Sequence, residues 1–273
     1  MTLRFENVSF AYESFNSPAK QLENISFEIQ PGEIVGMVGR SGSGKTTLMQ
    51  LCNGLLMPQQ GQVLVDGQDI NLADYNLTAL RRRLGLVFQF PETQHFAATV
   101  EEEIAFGPQQ QKMTPEQFQE CVTNSLHLVG LEKSFASRNP FMLSQGEKRR
   151  VAIASVLAMN PELLILDEPT ASLDARGVAE ISAILRNWLT PEKTLAIISH
   201  EVELIAALCS RVLILEKGRL FYDGATASLW GNAATAPGRE VLQTVNLPMP
   251  RAQRLQQHLR QKGFKLQKQL FHF

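Results

Sequence analysis

Gly39-Arg40-Ser41-Gly42-Ser43-Gly44-Lys45-Thr46, followed by Thr47, fits the pattern G-x-x-x-x-G-K-[ST]. Glycines at these spacings let a backbone turn its N–H groups inward around phosphate oxygens. The pattern has this meaning only where a strand feeds the loop and a helix leaves it. Both flanks comply. Ile34–Val38 is a short apolar run of the kind found in buried strands, and Leu48, Leu51 and Leu55 follow Lys45 at helical spacing, with Gly54 and Pro58 to end the helix. The helix N-terminus adds partial positive charge. Lys45 is placed to bridge β- and γ-phosphates, and the Thr46 hydroxyl to hold Mg²⁺.

The rest of the chain reads as α/β. Leu3, Phe5, Val8, Phe10 and Tyr12, then Leu22, Ile25, Phe27 and Ile29, alternate with period two around the polar stretch Glu13–Lys20, which predicts an antiparallel layer. Further strands are expected over Gln62–Val65, Leu84–Phe88, Leu163–Leu166 and Leu195–Ser199. Helices are expected within 91–140 and over Val151–Met159 and Gly177–Leu189, and a hairpin turns at Lys217-Gly218-Arg219. Strands alternating with helices predict a largely parallel core sheet. A net charge of −1 supplies no basic field for nucleic acid. No apolar run reaches 18 residues, and the start lacks the charge-then-apolar pattern of a secretory signal. Cys52, Cys121 and Cys209 form no C-x-x-C pair, which disfavours a zinc knuckle or disulfide framework and makes a cytosolic compartment the simplest reading.

Two more strand ends carry chemistry. Leu163–Leu166 runs into Asp167 and Glu168. At the C-terminal end of such a strand, Asp167 is placed to hold Mg²⁺ through water, and Glu168 to act as general base or to orient an attacking water. His200 ends a third apolar run and is expected at the same sheet edge, sensing the γ-phosphate and helping to hold the water.

Leu143-Ser144-Gln145-Gly146-Glu147, some twenty residues ahead of that acidic strand end, resembles the LSGGQ signature of the ATP-binding cassette superfamily. Asp167-Glu168-Pro169-Thr170 resembles its Walker B extension, and Ser172-Leu173-Asp174 its D-loop. Gln89 resembles the Q-loop glutamine, a contact of Mg²⁺ and water that faces transport subunits. Tyr12 stands where the family has an aromatic that stacks on adenine. The resemblance implies an α/β P-loop NTPase cassette with a mostly parallel core sheet, an N-terminal antiparallel β layer, a helical subdomain and a short C-terminal extension. It further implies ATP and Mg²⁺ as ligands, and a head-to-tail pair of ATPase subunits in which each signature closes its partner's ATP. Ser144 supplies a hydroxyl, Gly146 close backbone approach, and the helix from about Glu147 its positive end. Gln145 and Glu147 depart from the commonest signature. Gln145 is expected to put a bulky side chain beside the partner's nucleotide.

Phe88-Gln89-Phe90-Pro91-Glu92-Thr93-Gln94-His95-Phe96 and Thr99–Pro108 resemble a stretch of the energy-coupling factor ATPases, whose transporters import vitamins and cobalt or nickel ions. That resemblance implies a transmembrane coupling subunit and a substrate-binding membrane subunit as partners. It also implies a peripheral place on the cytoplasmic face of the membrane, with no nucleic acid involved. Residues 1–230 are expected to form the ATP-binding domain, with a helical subdomain at about 91–158, and 231–273 a small extension. This extension holds three Lys and four Arg against one Glu, with a helix expected after Pro250. A solvated helix face, a dimer-stabilising element and attraction to anionic lipid all suit it, and the dimer element is favoured. A soluble cassette ATPase of DNA repair would need coiled coils or zinc modules, and a translation factor two cassettes. A kinase or GTPase would leave LSQGE unexplained.

Overall fold

The computed structural model describes residues 1–12, 19–111, 113–230 and 236–262. The expected turn around Pro18, the start of the extension at 231 and the end of the chain from Gly263 lie outside the described residues. First come strands β1 (Leu3–Tyr12), β2 (Ala19–Ile29) and β3 (Ile34–Gly39), helix α1 (Lys45–Cys52), and strands β4 (Gln60–Val65) and β5 (Gln68–Asp69). Next are α2 (Leu77–Arg83), β6 (Leu84–Val87), α3 (Val100–Ala105), α4 (Pro115–Leu128), α5 (Gln145–Leu157), β7 (Leu163–Asp167) and α6 (Ala175–Trp188). β8 (Thr194–Ile198), α7 (Val202–Leu208), β9 (Arg211–Glu216), β10 (Arg219–Ala225), α8 (Thr226–Trp230), α9 (Ala236–Thr244) and α10 (Arg251–Gln261) complete the order. The chain divides into two compact units, one of residues 2–75 with 196–273 and one of residues 76–195 with Met1.

In the unit of residues 2–75 and 196–273, β1 lies between β2 and β4 and is antiparallel to both, with Leu3 opposite Ile29 on one side and Val65 on the other. The alternation read from the sequence is the reason: Leu3, Phe5, Val8, Leu22, Ile25 and Ile29 are all buried, and Phe5 stacks on Phe27 at 4.8 Å. Each such side chain contributes about 1.5–3 kcal/mol on leaving water. β3 runs parallel to β9, which pairs antiparallel with β10 across the two-residue turn Lys217-Gly218. Both turn residues have positive φ, as a type I′ hairpin demands. The polar connection after β1 is shorter than expected, because Ala19 and Lys20 already pair with Tyr12 and Ala11.

In the unit of residues 76–195, β6 and β7 pair in parallel from Leu84 opposite Leu163 to Val87 opposite Leu166. β7 is buried along its whole length, as the continuous apolar run predicts. α5 buries Val151, Ile153, Ala154 and Leu157. α3 and α4 start on capping boxes, Thr99 with Glu102 and Thr114 with Gln117, so the stretch 91–140 is helical as read. α5 begins at Gln145, two residues before the expected Glu147, because Ser144 is its N-cap. α6 starts at Ala175 on the Asp174 cap. The short helices α2, α7 and α8, and α9 in the extension, were not legible from apolar periodicity. Among the described residues no helix is long and apolar enough to cross a membrane.

Candidate functional site

The phosphate loop leaves β3 at Gly39 and enters α1 at Lys45. Gly44, the N-cap of α1, has φ 104°, and a Cβ there would lie 2.5 Å from Leu22 Cδ2 and 2.9 Å from Gln21 O. Only glycine suits both the conformation and the space. At Gly39 a Cβ would stand 2.3 Å from Leu215 O of β9. Lys45 Nζ donates to Gly39 O at 2.8 Å and Arg40 O at 3.0 Å, folding the ammonium over its own loop. Arg40, Ser41, Gly42 and Thr46 are exposed, whereas Ser43 is buried and its Oγ has no hydrogen-bond partner among the described residues. A glycine-rich turn at a helix start, a local ammonium and an unmatched hydroxyl fit a bound polyphosphate. Tyr12, at the end of β1, stands beside this helix: its hydroxyl lies 3.2 Å from Thr47 Oγ1 and donates to Gln50 Oε1 at 3.3 Å. Its ring, half-exposed, meets Phe10 edge to face at 4.9 Å. Ser199 N donates to Met37 O, which sets His200 just past the strand that neighbours β3, exposed to solvent.

The other expected residues belong to the unit of residues 76–195. Val87 opposite Leu166 is the last paired couple of β6 and β7, so Gln89 and Glu168 each lie two or fewer residues beyond a paired strand end. Asp167 and Glu168 are buried, and Gln89 is exposed. Glu168 adopts φ 49° and Phe90, next to Gln89, φ 54°, both in the left-handed region that residues with a Cβ seldom occupy. Within this unit, the side-chain oxygens of Gln89 and Asp167 are hard donors of the kind Mg²⁺ takes.

The signature forms a full capping box. Glu147 N donates to Ser144 Oγ at 3.4 Å, and Ser144 N donates to Glu147 Oε2 at 2.8 Å. The Ser144 hydroxyl also donates to Glu147 Oε2, at 2.6 Å. That hydroxyl, followed by the Ser144 amide, holds the Glu147 carboxyl below its ordinary range. Gly146 has open space where a Cβ would stand. Asp174 Oδ1 accepts from Gly177 N at 2.8 Å, capping α6.

Gln145 does not simply extend outward from the signature. Its Nε2 donates to Glu92 Oε1 at 2.7 Å. Glu92 also receives a two-pronged bond from Arg149, Nε to Oε2 at 3.1 Å and Nη2 to Oε1 at 2.8 Å. Arg149 Nη1 donates to Pro169 O at 3.3 Å and Ala171 O at 2.6 Å. Burial pushes the Glu92 carboxyl up, but the Arg149 guanidinium and the other donors outweigh it and leave it lowered. In the sequence Glu92 stands only as one residue of the stretch Phe88–Phe96, and Arg149 as the middle of three consecutive basic residues, Lys148-Arg149-Arg150. A buried ion pair leaves no periodic trace.

Comparison with known proteins identifies the family and the fold. The model of the family described as ABC transporter matches residues 22–171. The energy-coupling factor transporter ATP-binding protein EcfA2 of Clostridium tetani is 38% identical over 274 residues, covering 99% of this chain and 93% of the relative. Among solved structures, cbiO1 from Clostridium perfringens, part of the ABC transporter complex cbiONQ, is 33% identical with a TM-score of 0.76, over 93% of this chain and 98% of that one. The ATP-binding cassette MJ0796, solved as a dimer bound to ADP and Pi, is 28% identical with a TM-score of 0.74, over 82% of this chain and 98% of that one.

Proposed function

This chain belongs to the ABC transporter family, and we propose that it is the ATP-hydrolysing motor of an energy-coupling factor importer that takes up a vitamin or a transition-metal ion. It binds ATP and couples hydrolysis to transport with membrane partners. The observation that carries this reading is the end-to-end similarity to an energy-coupling factor ATP-binding protein, with the phosphate loop, Walker B acids and signature all in place.

The residues take these roles. Tyr12 offers its ring to adenine, and Gly39, Arg40, Ser41, Gly42, Ser43, Gly44, Lys45, Thr46 and Thr47 form the phosphate cradle. Thr46, Gln89 and Asp167 would hold Mg²⁺, which offsets the charge of the phosphates as the γ-phosphoryl group is transferred. Glu168 accepts hydrogen bonding from the attacking water, or its proton, and His200 helps keep that water in line. Ser144, Gln145, Gly146, Glu147 and Asp174 serve the nucleotide of a second ABC ATPase subunit, identical or related. The partners are a transmembrane coupling subunit and a substrate-binding membrane subunit, with this chain at the cytoplasmic face. Residues 1–230 constitute the ATP-binding domain, with a helical subdomain at about 91–158, and 231–273 the extension.

The test is a tagged purification from detergent-solubilised membranes with the co-purifying proteins identified. A small substrate-binding membrane protein together with one coupling subunit is the expected result and points to the substrate. Ordinary paired permeases would discard the energy-coupling subclass, and no membrane partner at all would discard the transport role.

A further inference from the structure

Arg149 and Glu92 join three segments that the chain keeps far apart in sequence. Glu92 lies in the 3-10 turn Pro91–Gln94, directly after Gln89 and the left-handed Phe90. Arg149 is in the second turn of α5, the signature helix, and its free prong holds the carbonyls of Pro169 and Ala171. Those carbonyls immediately follow Glu168, which is itself left-handed. The two unfavourable backbone conformations, at Phe90 and at Glu168, thus flank one buried ion pair. Such conformations persist only where the surroundings over-determine them. The side chains of Glu92 and Arg149 are 2% and 1% exposed, so the pair is shielded from solvent screening. Gln145 adds a third tie, from the first residue of the signature helix to the same carboxylate.

We infer that Glu92, Arg149 and Gln145 are positioning residues that fix the backbone at Glu168 in register with the segment after Gln89. In this arrangement Gln145, the residue that departs from the commonest signature, serves as a strut within its own chain. Any displacement of the turn Pro91–Gln94 is passed through a rigid guanidinium fork to the peptide units after Glu168. The inference rests on the proposed role of Glu168 only for its effect on turnover, and not for its effect on the turn itself.

The test uses the full-length chain, with its ATPase partner where one is required. The E92L/R149M double substitution replaces the pair by apolar side chains of similar size, an exchange that buried ion pairs often tolerate without loss of stability. At an unchanged melting temperature, the amides of Ala171 and Leu173, which close the turn on Glu168 O and Thr170 O, should exchange with deuterium faster than in the parent. The kcat should fall about tenfold and the KM for ATP should stay within about twofold. Gln145→Gly should lower kcat about two- to fivefold in the parent and cause no further loss in the E92L/R149M background, as expected of residues acting as one unit. Unchanged exchange in E92L/R149M overturns the positioning role, whether or not the protein hydrolyses ATP. Faster exchange with kcat at the parental value refutes the role of Glu168 in turnover and leaves the strut standing, whereas a kcat raised by Gln145→Gly overturns the part given to Gln145. If E92L/R149M does not fold, the cycle between Glu92→Gln and Gln145→Gly decides the matter: losses that add in full refute a shared strut. A parent that is inactive while the exchange effect holds would refute the role of Glu168 and leave the strut standing.

Discussion

Glu168 combines burial, a left-handed backbone and a place one residue past the last residue of β7. A carboxylate so held keeps one orientation, as a group that must aim at a water needs. Glu168→Gln preserves the shape and removes the base, so turnover should fall about 10²–10⁴-fold while ATP binding, followed with a fluorescent analogue, stays near normal. Near-normal turnover would remove Glu168 from the mechanism. Gly44→Ala tests the cradle in a different way. It sets a Cβ against Leu22 and Gln21 O at φ 104°, and should cost about 1–3 kcal/mol in thermal unfolding and abolish ATP binding. Retention of both would mean that the loop shifts freely. These residues were legible in the sequence because their chemistry dictates type and spacing together. Arg149 and Glu92 were not, since nothing local distinguishes a fully buried arginine from the half-buried Arg150 and Lys148 beside it.

The elements divide in the same way. β3, β7 and β8 announced themselves as short apolar runs, and α1 by its leucines, because burial on all sides leaves no alternative composition. The helix α2 packs little more than Leu80, and its existence depends on the Asn76 cap and on the junction at its C-terminal end. There Arg83 closes α2 and Glu162 precedes β7; the two side chains meet at 2.7 and 2.9 Å while Glu162 N donates to Arg83 O. This tie sets the register of β6 against β7. The Arg83 guanidinium, foremost among the causes, holds the Glu162 carboxyl at about 2. The folded value lies below the unfolded one of about 4.3, so the stabilisation is complete above about pH 4.3 and disappears as the pH falls through about 2. Both partners are well exposed, which limits the effect to about 1 kcal/mol or less. Glu162→Gln should therefore lower the melting temperature slightly near neutral pH and converge with the parent at about pH 2. Parallel curves throughout would show that the pair contributes no pH dependence.

On the scale of the molecule, the proposed function makes the signature at Ser144 and the phosphate loop two half-sites that meet across a pair of subunits, and the similar cassette MJ0796 is a dimer in its solved structure. In light scattering, the Glu168→Gln chain with Mg-ATP should run at twice the mass it shows without nucleotide, or as a pair with its related ATPase when both are present. Chelating Mg²⁺ should stop hydrolysis in the parent. A mass indifferent to ATP would refute closure by nucleotide. The α/β class was readable from strands alternating with helices. The helix α10 was read from Leu255 and Leu259, of which Leu255 is exposed in the single chain. Its preceding neighbour α9 went unread, since Pro237 and Gly238 at its start mask the helical pattern.

The ammonium of Lys45 is folded back on the carbonyls of Gly39 and Arg40. A free lysine side chain has about 1.5–2 kcal/mol of rotamer entropy to lose on being fixed. Here folding has removed much of that freedom, so an incoming phosphate meets a cation with little disorder left to surrender. Part of its contribution to binding is the exchange of these two carbonyls for an anionic acceptor. Its share of the ATP affinity should consequently weaken on warming, and most of what is lost in Lys45→Ala should appear as heat in calorimetry rather than as entropy.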